Sequence, residues 1–301
     1  MKLFHTDLFV LPLPKGHRFP MQRYRLLRER LETCGVFSSD QMCVPPAASD
    51  QQLAQVHTQD WIDRVAAGEL TKDEVRRIGF PWSKAMAERS RRSTGATIAA
   101  AECAWRDSVA ANLAGGTHHS FPDRGAGYCV FNDVAVAIRN EQACGRCRKA
   151  LIIDLDVHQG DGSAAIFEHD ESVFTFSMHA KKAFPARKQN SNLDIELMPK
   201  CEDAEYLERL DEGLQLVRSR AEFDIIFFLA GADPYKEDTL GGLHISKEGL
   251  KQRDAAVFDF CQHASTPLVI TLAGGYSKDI TDIVDIQYHT VTKAAERLGG
   301  F

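Results

Sequence analysis

The sequence predicts an α/β fold: one domain over residues 1–301, built on an open, mainly parallel β-sheet with helices on both faces. Two observations predict it. Short apolar runs rich in β-branched and aromatic residues recur along the chain, and segments with helical spacing lie between them. Parallel strands need crossover connections, and helices are the usual ones.

The runs at 109–114, 150–155, 173–178, 224–230 and 268–273 read as strands, each bounded by turn residues and apolar enough to be covered on both faces. Tyr24, Leu27 and Leu31 define a helical stripe ending near Gly35. Ile98 and Ala101 belong to a second, and Tyr206, Leu210, Leu214 and Val217 to a third. Another helix is expected over about 247–261, and a last one from Ile280 through Ile283, Val284 and Val291. No repeat, low-complexity tract or Gly/Ser linker divides the chain.

Composition narrows the function classes. A hydrophobic share of 44% is enough for a substantial core, and a formal net charge of −6 argues against direct nucleic-acid binding, which needs a concentrated positive field. The cluster Arg89, Arg91 and Arg92 is expected to be a solvated helix face. Eight cysteines are too few for a disulfide scaffold of this length, and the lone CxxC pair, Cys144 and Cys147, is a poor zinc or redox motif. The start, Met1 to Asp7, carries no apolar signal stretch, and the longest apolar run, 225–232, is far too short to span a membrane. A cytoplasmic protein is expected.

In open α/β sheets ligands bind at the carboxyl ends of the strands. The predicted strands lead, in chain order, into Gly115-Gly116-Thr117-His118-His119, Asp154-Leu155-Asp156-Val157-His158, Ser177-Met178-His179, Gly231-Ala232-Asp233 and Gly274-Gly275-Tyr276. A catalytic zinc needs three imidazole or carboxylate ligands and one open position. Asp154, Asp156 and His158 share a face if the strand continues that far, and Asp156, His158 and Asp233 together would make such a site. Aspartates after strands also serve as helix caps and turn formers. His118 and His119 adjoin a Gly-Gly turn that permits close approach of backbone to a ligand, and Asp154 and Asp161 are available to hold the rings by their second nitrogens. A His–Asp pair beside an activated water is what general-base hydrolysis requires. The Tyr276 phenol, after two glycines, is a candidate donor to a developing oxyanion, with a buried structural tyrosine as the other reading.

These residues resemble the zinc-dependent histone deacetylases of the arginase/deacetylase superfamily, over nearly the whole chain. The resemblance is carried by Lys15-Gly-His-Arg-Phe-Pro20, Gly115-Gly-Thr-His-His119, Asp123-Arg-Gly-Ala-Gly-Tyr-Cys129 running into Phe131-Asn-Asp133, Ile153-Asp-Leu-Asp-Val-His-Gln-Gly-Asp-Gly162, Ala230-Gly-Ala-Asp-Pro234, Leu240-Gly-Gly-Leu243 and Ala273-Gly-Gly-Tyr276. It looks most like class IV deacetylases and their bacterial relatives.

The resemblance implies one zinc ion on Asp156, His158 and Asp233. It makes His119, paired with Asp161, the general base and then acid, gives His118 with Asp154 a supporting charge role, and sets Tyr276 on the acyl carbonyl. Gly127, Tyr128, His17, Phe19, Gly274 and Gly275 would bind substrate. A structural monovalent cation, usually potassium, would sit among Asp154, the backbone of Asp156 and His158, Ser177 and the backbone of Met178. The implied substrate is an acylated lysine in a protein or peptide, with small acylated amines such as acylpolyamines as the alternative and a catalytically silent acyl-lysine-binding module as a remote one.

Two departures stand out. Tyr128 occupies a position where many relatives carry phenylalanine, and His179 is followed by Ala180-Lys181-Lys182 rather than an aromatic-bearing loop, leaving the opposite tunnel wall unassigned. No match to the loop aspartate that grips peptide backbone in some relatives is found. A two-metal ureohydrolase is disfavoured, because Gly160 and Gly231 stand where further carboxylates would be needed.

Overall fold

Eight parallel strands form one sheet in the order β2-β1-β3-β8-β7-β4-β5-β6 in a computed structural model that describes residues 1–299. The strands are β1 (Lys2–Phe4), β2 (Met42–Cys43), β3 (Val109–Asn112), β4 (Ala150–Asp154), β5 (Val173–Ala180), β6 (Leu193–Leu197), β7 (Ile225–Leu229) and β8 (Leu268–Thr271). The helices are α1 (Arg23–Thr33), α2 (Asp50–Leu53), α3 (Gln59–Ala67), α4 (Lys72–Ile78), α5 (Lys84–Asp107), α6 (Asp133–Ala143), α7 (Asp161–Phe167), α8 (Asp203–Arg218), α9 (Lys247–Ala264) and α10 (Ile280–Leu298).

Each of the five expected strands is present, so the apolar runs did mark the sheet. Their alternation explains why both faces are covered. Ala111, Leu151, Ile153, Ile226 and Phe228 join a core with α1, α8, α9 and α10. Their neighbours Ala110, Ile152, Phe227 and Val269 join a second core with α3, α5 and α6 on the other face. Strands β1, β2 and β6 were not expected. β1 and β2 are only three and two residues long, and β6 alternates buried with exposed positions at the sheet edge, so none has a long apolar run. Among the described residues, no helix is long and apolar enough to cross a membrane.

The topology positions the site. From β3 the chain crosses to β4, builds β5 and β6 outward, then returns to lay β7 and β8 in the gap. The carboxyl ends of β3, β8, β7 and β4 thus become neighbours at the centre of the sheet. Four loops distant in sequence open on one spot, as the switch-point rule requires.

Two expectations need correction. β4 ends at Asp154, so Asp156 and His158 come from the loop after it and not from a shared strand face. Arg89 is not on a solvated face: it is buried, donating from Nη1 to the carbonyls of Thr6 and Phe9, with its guanidinium over the Tyr24 ring. Arg91 and Arg92 are half-buried beside the Pro45–Ala48 segment.

Candidate metal centre and active site

Asp156, His158 and Asp233 each offer one ligand atom, and these atoms lie within 4.8 Å of one another, all buried. His158 Nδ1 is 3.0 Å from Asp156 Oδ1 and 3.3 Å from Asp233 Oδ2. The carboxylates are aimed from behind by backbone donors: Gly274 N–H to Asp156 Oδ2 at 2.8 Å, and Val157 N–H to Asp233 Oδ1 at 3.0 Å. Asp233 Oδ2, facing the centre, is buried with no hydrogen-bond partner. Burial and the charge of Asp156 push the Asp233 carboxyl up to about 7. A buried oxygen without a donor, in a like-charged pair beside an imidazole, fits a divalent cation. Room for it depends on glycine: a methyl on Gly231 would come within 2.7 Å of Asp233 Oδ1 and 2.8 Å of Asp156 Oδ2.

The paired histidines arrive from β3 through a tight turn. Gly115 and Gly116 both have left-handed φ, +73° and +71°. Asp133, at the start of α6, receives the N–H groups of Gly116 and Thr117 at 3.0 and 2.7 Å, and the hydroxyls of Thr97 and Thr117. His118 Nδ1 then pairs with Asp154 Oδ2, and His119 Nδ1 with Asp161 Oδ1, each at 2.6 Å. His118 Nε2 lies 3.9 Å from Asp156 Oδ1, and both rings line the cavity that also holds Asp156, His158 and Tyr276.

The two imidazoles are electrically unlike. Burial opposes a charge on His118, but Asp154 and Asp156 overcome it and carry the ring up to about 9. Burial and the neighbouring charge of His118 hold His119 down to about 4 against the pull of Asp161. The surroundings thus favour a proton on His118 and disfavour one on His119, which leaves His119 as the candidate proton acceptor.

Tyr276 faces the pair across the cavity, its ring centroid 6.4 Å from that of His158. Burial pushes its phenol well above the ordinary value, so it stays protonated as a donor. Its backbone is pinned: Asp238 Oδ2 accepts its N–H, and Thr239 Oγ1 donates to its carbonyl at 2.8 Å. Arg23, fully buried, donates to the carbonyls of Ala273 (2.7 Å) and Gly275 (3.0 Å) in the same loop.

Of the other expected residues, Gly127, Tyr128, Phe19 and Gly274 line the cavity. His17 stands one layer back, its Nε2 2.9 Å from the Gly79 carbonyl, and the Gly275 carbonyl faces Arg23. Asp154 and Ser177 are register partners on β4 and β5, with Ser177 Oγ 3.0 Å from His179 Nδ1.

Sequence reasoning missed several residues. Phe184 fills the unassigned wall, with its ring edge-on to His119 at 4.8 Å. Its signal was an aromatic before a proline, five residues past His179. The 72–92 segment, without an expected role, ends α4 against the tunnel: the carbonyls of Arg77 and Ile78 receive the N–H groups of Gly127 and Tyr128 at 3.0 and 2.7 Å. These bonds hold Tyr128 at φ +66°, a strained conformation for a non-glycine residue. Arg253 on α9, completely buried, binds the Gly231 carbonyl at 2.5 Å and Asp254 at 2.9 Å, while Asp254 accepts from Thr290 on α10. It left no signal, because a buried arginine inside a helix reads like a surface one. Cys144 is exposed, Cys147 is buried, and both are free.

Comparison with known proteins agrees with this architecture. A histone deacetylase domain model matches residues 17–291. An uncharacterized protein of Picosynechococcus sp. is 42% identical over 282 residues, 94% of each chain. Histone deacetylase 2 of Arabidopsis thaliana is 28% identical over 287 residues, 92% of this chain and 74% of that one. The crystal structure of a histone deacetylase homolog from Aquifex aeolicus superposes with a TM-score of 0.85 at 25% identity, covering 99% of this chain and 84% of that one.

Proposed function

The chain belongs to the histone deacetylase family, and from that premise we propose that it hydrolyses acetyl or longer acyl groups from the ε-amine of lysine in proteins or peptides. The observation that carries the reading is the convergence of Asp156, His158 and Asp233, the first two of which line the same cavity as His119 and Tyr276. Asp156, His158 and Asp233 would hold the divalent ion, read as zinc, which supplies Lewis acidity and lowers the pKa of water.

The chain's own groups perform the proton steps. His119, neutral and oriented by Asp161, takes the proton of the attacking water on Nε2 and later delivers it to the departing amine. The Tyr276 hydroxyl donates to the oxygen of the acyl carbonyl as negative charge grows there. His118, held by Asp154, keeps a positive charge beside the reacting centre and sets the basicity of His119. Gly127, Tyr128 and Phe184 form walls for the alkyl stem. A potassium ion among Asp154, Ser177 and the backbone of Asp156, His158 and Met178 belongs to the same reading, supported by the β4–β5 register. The chain would act as one catalytic domain in the cytoplasm, consistent with eight free cysteines. Among the described residues the metal-competent cluster is a single one, which favours one catalytic metal over a two-metal ureohydrolase.

The test is turnover of acyl-lysine peptides of increasing chain length, with metal analysis, before and after chelation. Loss of activity on chelation, recovery with zinc, and a lower melting temperature of the apo protein are expected. Full activity in protein free of transition metal would refute the reading.

A further inference from the structure

The tunnel mouth encloses about 300 Å³, and its lining includes Arg76, Arg77, Tyr128, Phe184, Leu240 and Tyr276 but no carboxylate. Arg76 and Arg77 are exposed at the end of α4. Lys182 and Arg187, also exposed, stand two positions before and three positions after Phe184, which lines the mouth. Arg18 adds charge on a third side, where it opposes the upward shift that burial imposes on the Tyr128 phenol. Arg76 pairs with Asp73 at 2.9 Å, whereas Arg18, Arg77, Lys182 and Arg187 have no carboxylate partner among the described residues.

The fourth side does not offset this. The 236–240 loop exposes one charge of each sign, Lys236 and Glu237. The carboxylate of Asp238 is turned inward onto the N–H groups of Leu240, Gly241 and Tyr276. The exposed charges at and beside the entrance are thus mainly cationic, in a chain whose formal net charge is −6. Cations gathered at a concave mouth focus the field there, attracting anionic ligands and repelling cationic ones.

We propose that the rim selects acyl-lysine substrates flanked by aspartate or glutamate, and disfavours lysine- and arginine-rich segments and acylpolyamines. The inference rests on the deacylase reading for what enters the tunnel. It separates two substrate classes that the same catalytic core would serve equally. An acylpolyamine brings further ammonium groups to a mouth whose lining holds no carboxylate, while an acidic flank meets the guanidinium groups at the end of α4.

The experiment compares peptides sharing one ε-acetyl-lysine core with acidic, neutral or basic flanks, together with an acetylated polyamine, on the zinc-loaded full chain. At low salt, kcat/KM is expected to be about 5- to 20-fold higher for the acidic than for the basic peptide, with the polyamine lowest. The ratio should shrink toward one at high ionic strength, where such charges are screened. The paired substitution Arg76→Glu with Arg77→Glu should invert or abolish the order, as should Lys182→Glu with Arg187→Glu in part. Equal or better turnover of the basic peptide or the polyamine by the unaltered protein would overturn the inference, as would a ratio untouched by charge reversal. Should no peptide be turned over, the deacylase reading fails by itself. Fluorescence anisotropy of the same labelled peptides then still reads the rim: the same order supports it, and equal affinities overturn it.

Discussion

The floor of the site and its rim are built on opposite principles. At the floor, each functional group is held from behind by a buried partner: Asp154 on His118, Asp161 on His119, Gly274 N–H on Asp156, Val157 N–H on Asp233. Those loops are braced in turn, by Arg253 on the Gly231 carbonyl and Arg23 on Ala273 and Gly275. At the rim, Phe184 is 44% exposed and the neighbouring cationic side chains point into solvent. The contrast teaches where accuracy is needed. Proton transfer and carbonyl polarisation lose rate with small misplacements, whereas long-range charge at an entrance tolerates loose side chains.

If this division is right, floor substitutions lower kcat and rim substitutions change KM or selectivity. The largest effect is expected from His119→Ala, a fall in kcat of about 10²–10⁴ with metal content unchanged, read by steady-state kinetics and elemental analysis. Wild-type turnover would remove His119 from the mechanism. Next comes Arg253→Met, which strands Asp254 in the core and frees the Gly231 carbonyl. A loss of about 3–5 kcal/mol in chemical denaturation is expected, with much of it recovered in Arg253→Met/Asp254→Leu, which removes both charges.

A third test uses pH. His57 braces the same floor: its Nε2 accepts the Asn132 N–H, and Asn132 Nδ2 donates to Ser120 O and Ser163 Oγ. Burial lowers its pKa from 6.5 to about 4, so the unfolded chain binds the proton first. Its contribution is fully present above pH 6.5 and is lost as pH falls toward 4, by up to about 3 kcal/mol. His57→Gln should make the acid limb of the stability profile shallower; an unchanged slope would exclude His57 as a source. The smallest effect belongs to the rim. Phe184→Ala should raise KM by about 3- to 10-fold with kcat nearly unchanged, because the wall contacts ground state and transition state alike. A fall in kcat larger than the rise in KM would move Phe184 from the rim to the floor.

Much of the floor was legible in the sequence because chemistry restricts residue type. Asp, His and Tyr directly after apolar runs are conspicuous, and the switch-point rule says why they gather. The groups that hold them in place were less legible. Asp133 lay inside a recognised motif without an assigned role, and Arg23 and Arg253 look in sequence like ordinary surface arginines on amphipathic helices. Arg89 shows the error most plainly, since a run of arginines suggested solvent and the fold buried one of them against Tyr24.

By itself the sequence determined the fold class, the five central strands and the candidates for the metal and proton-transfer roles, since strand length, apolar runs and side-chain chemistry are local properties. Only the tertiary structure decided which strand ends became neighbours, which arginines went inside, and that Phe184 and the α4 end would close the tunnel. Those outcomes depend on contacts between residues tens to hundreds of positions apart, and such contacts leave no periodicity along the chain.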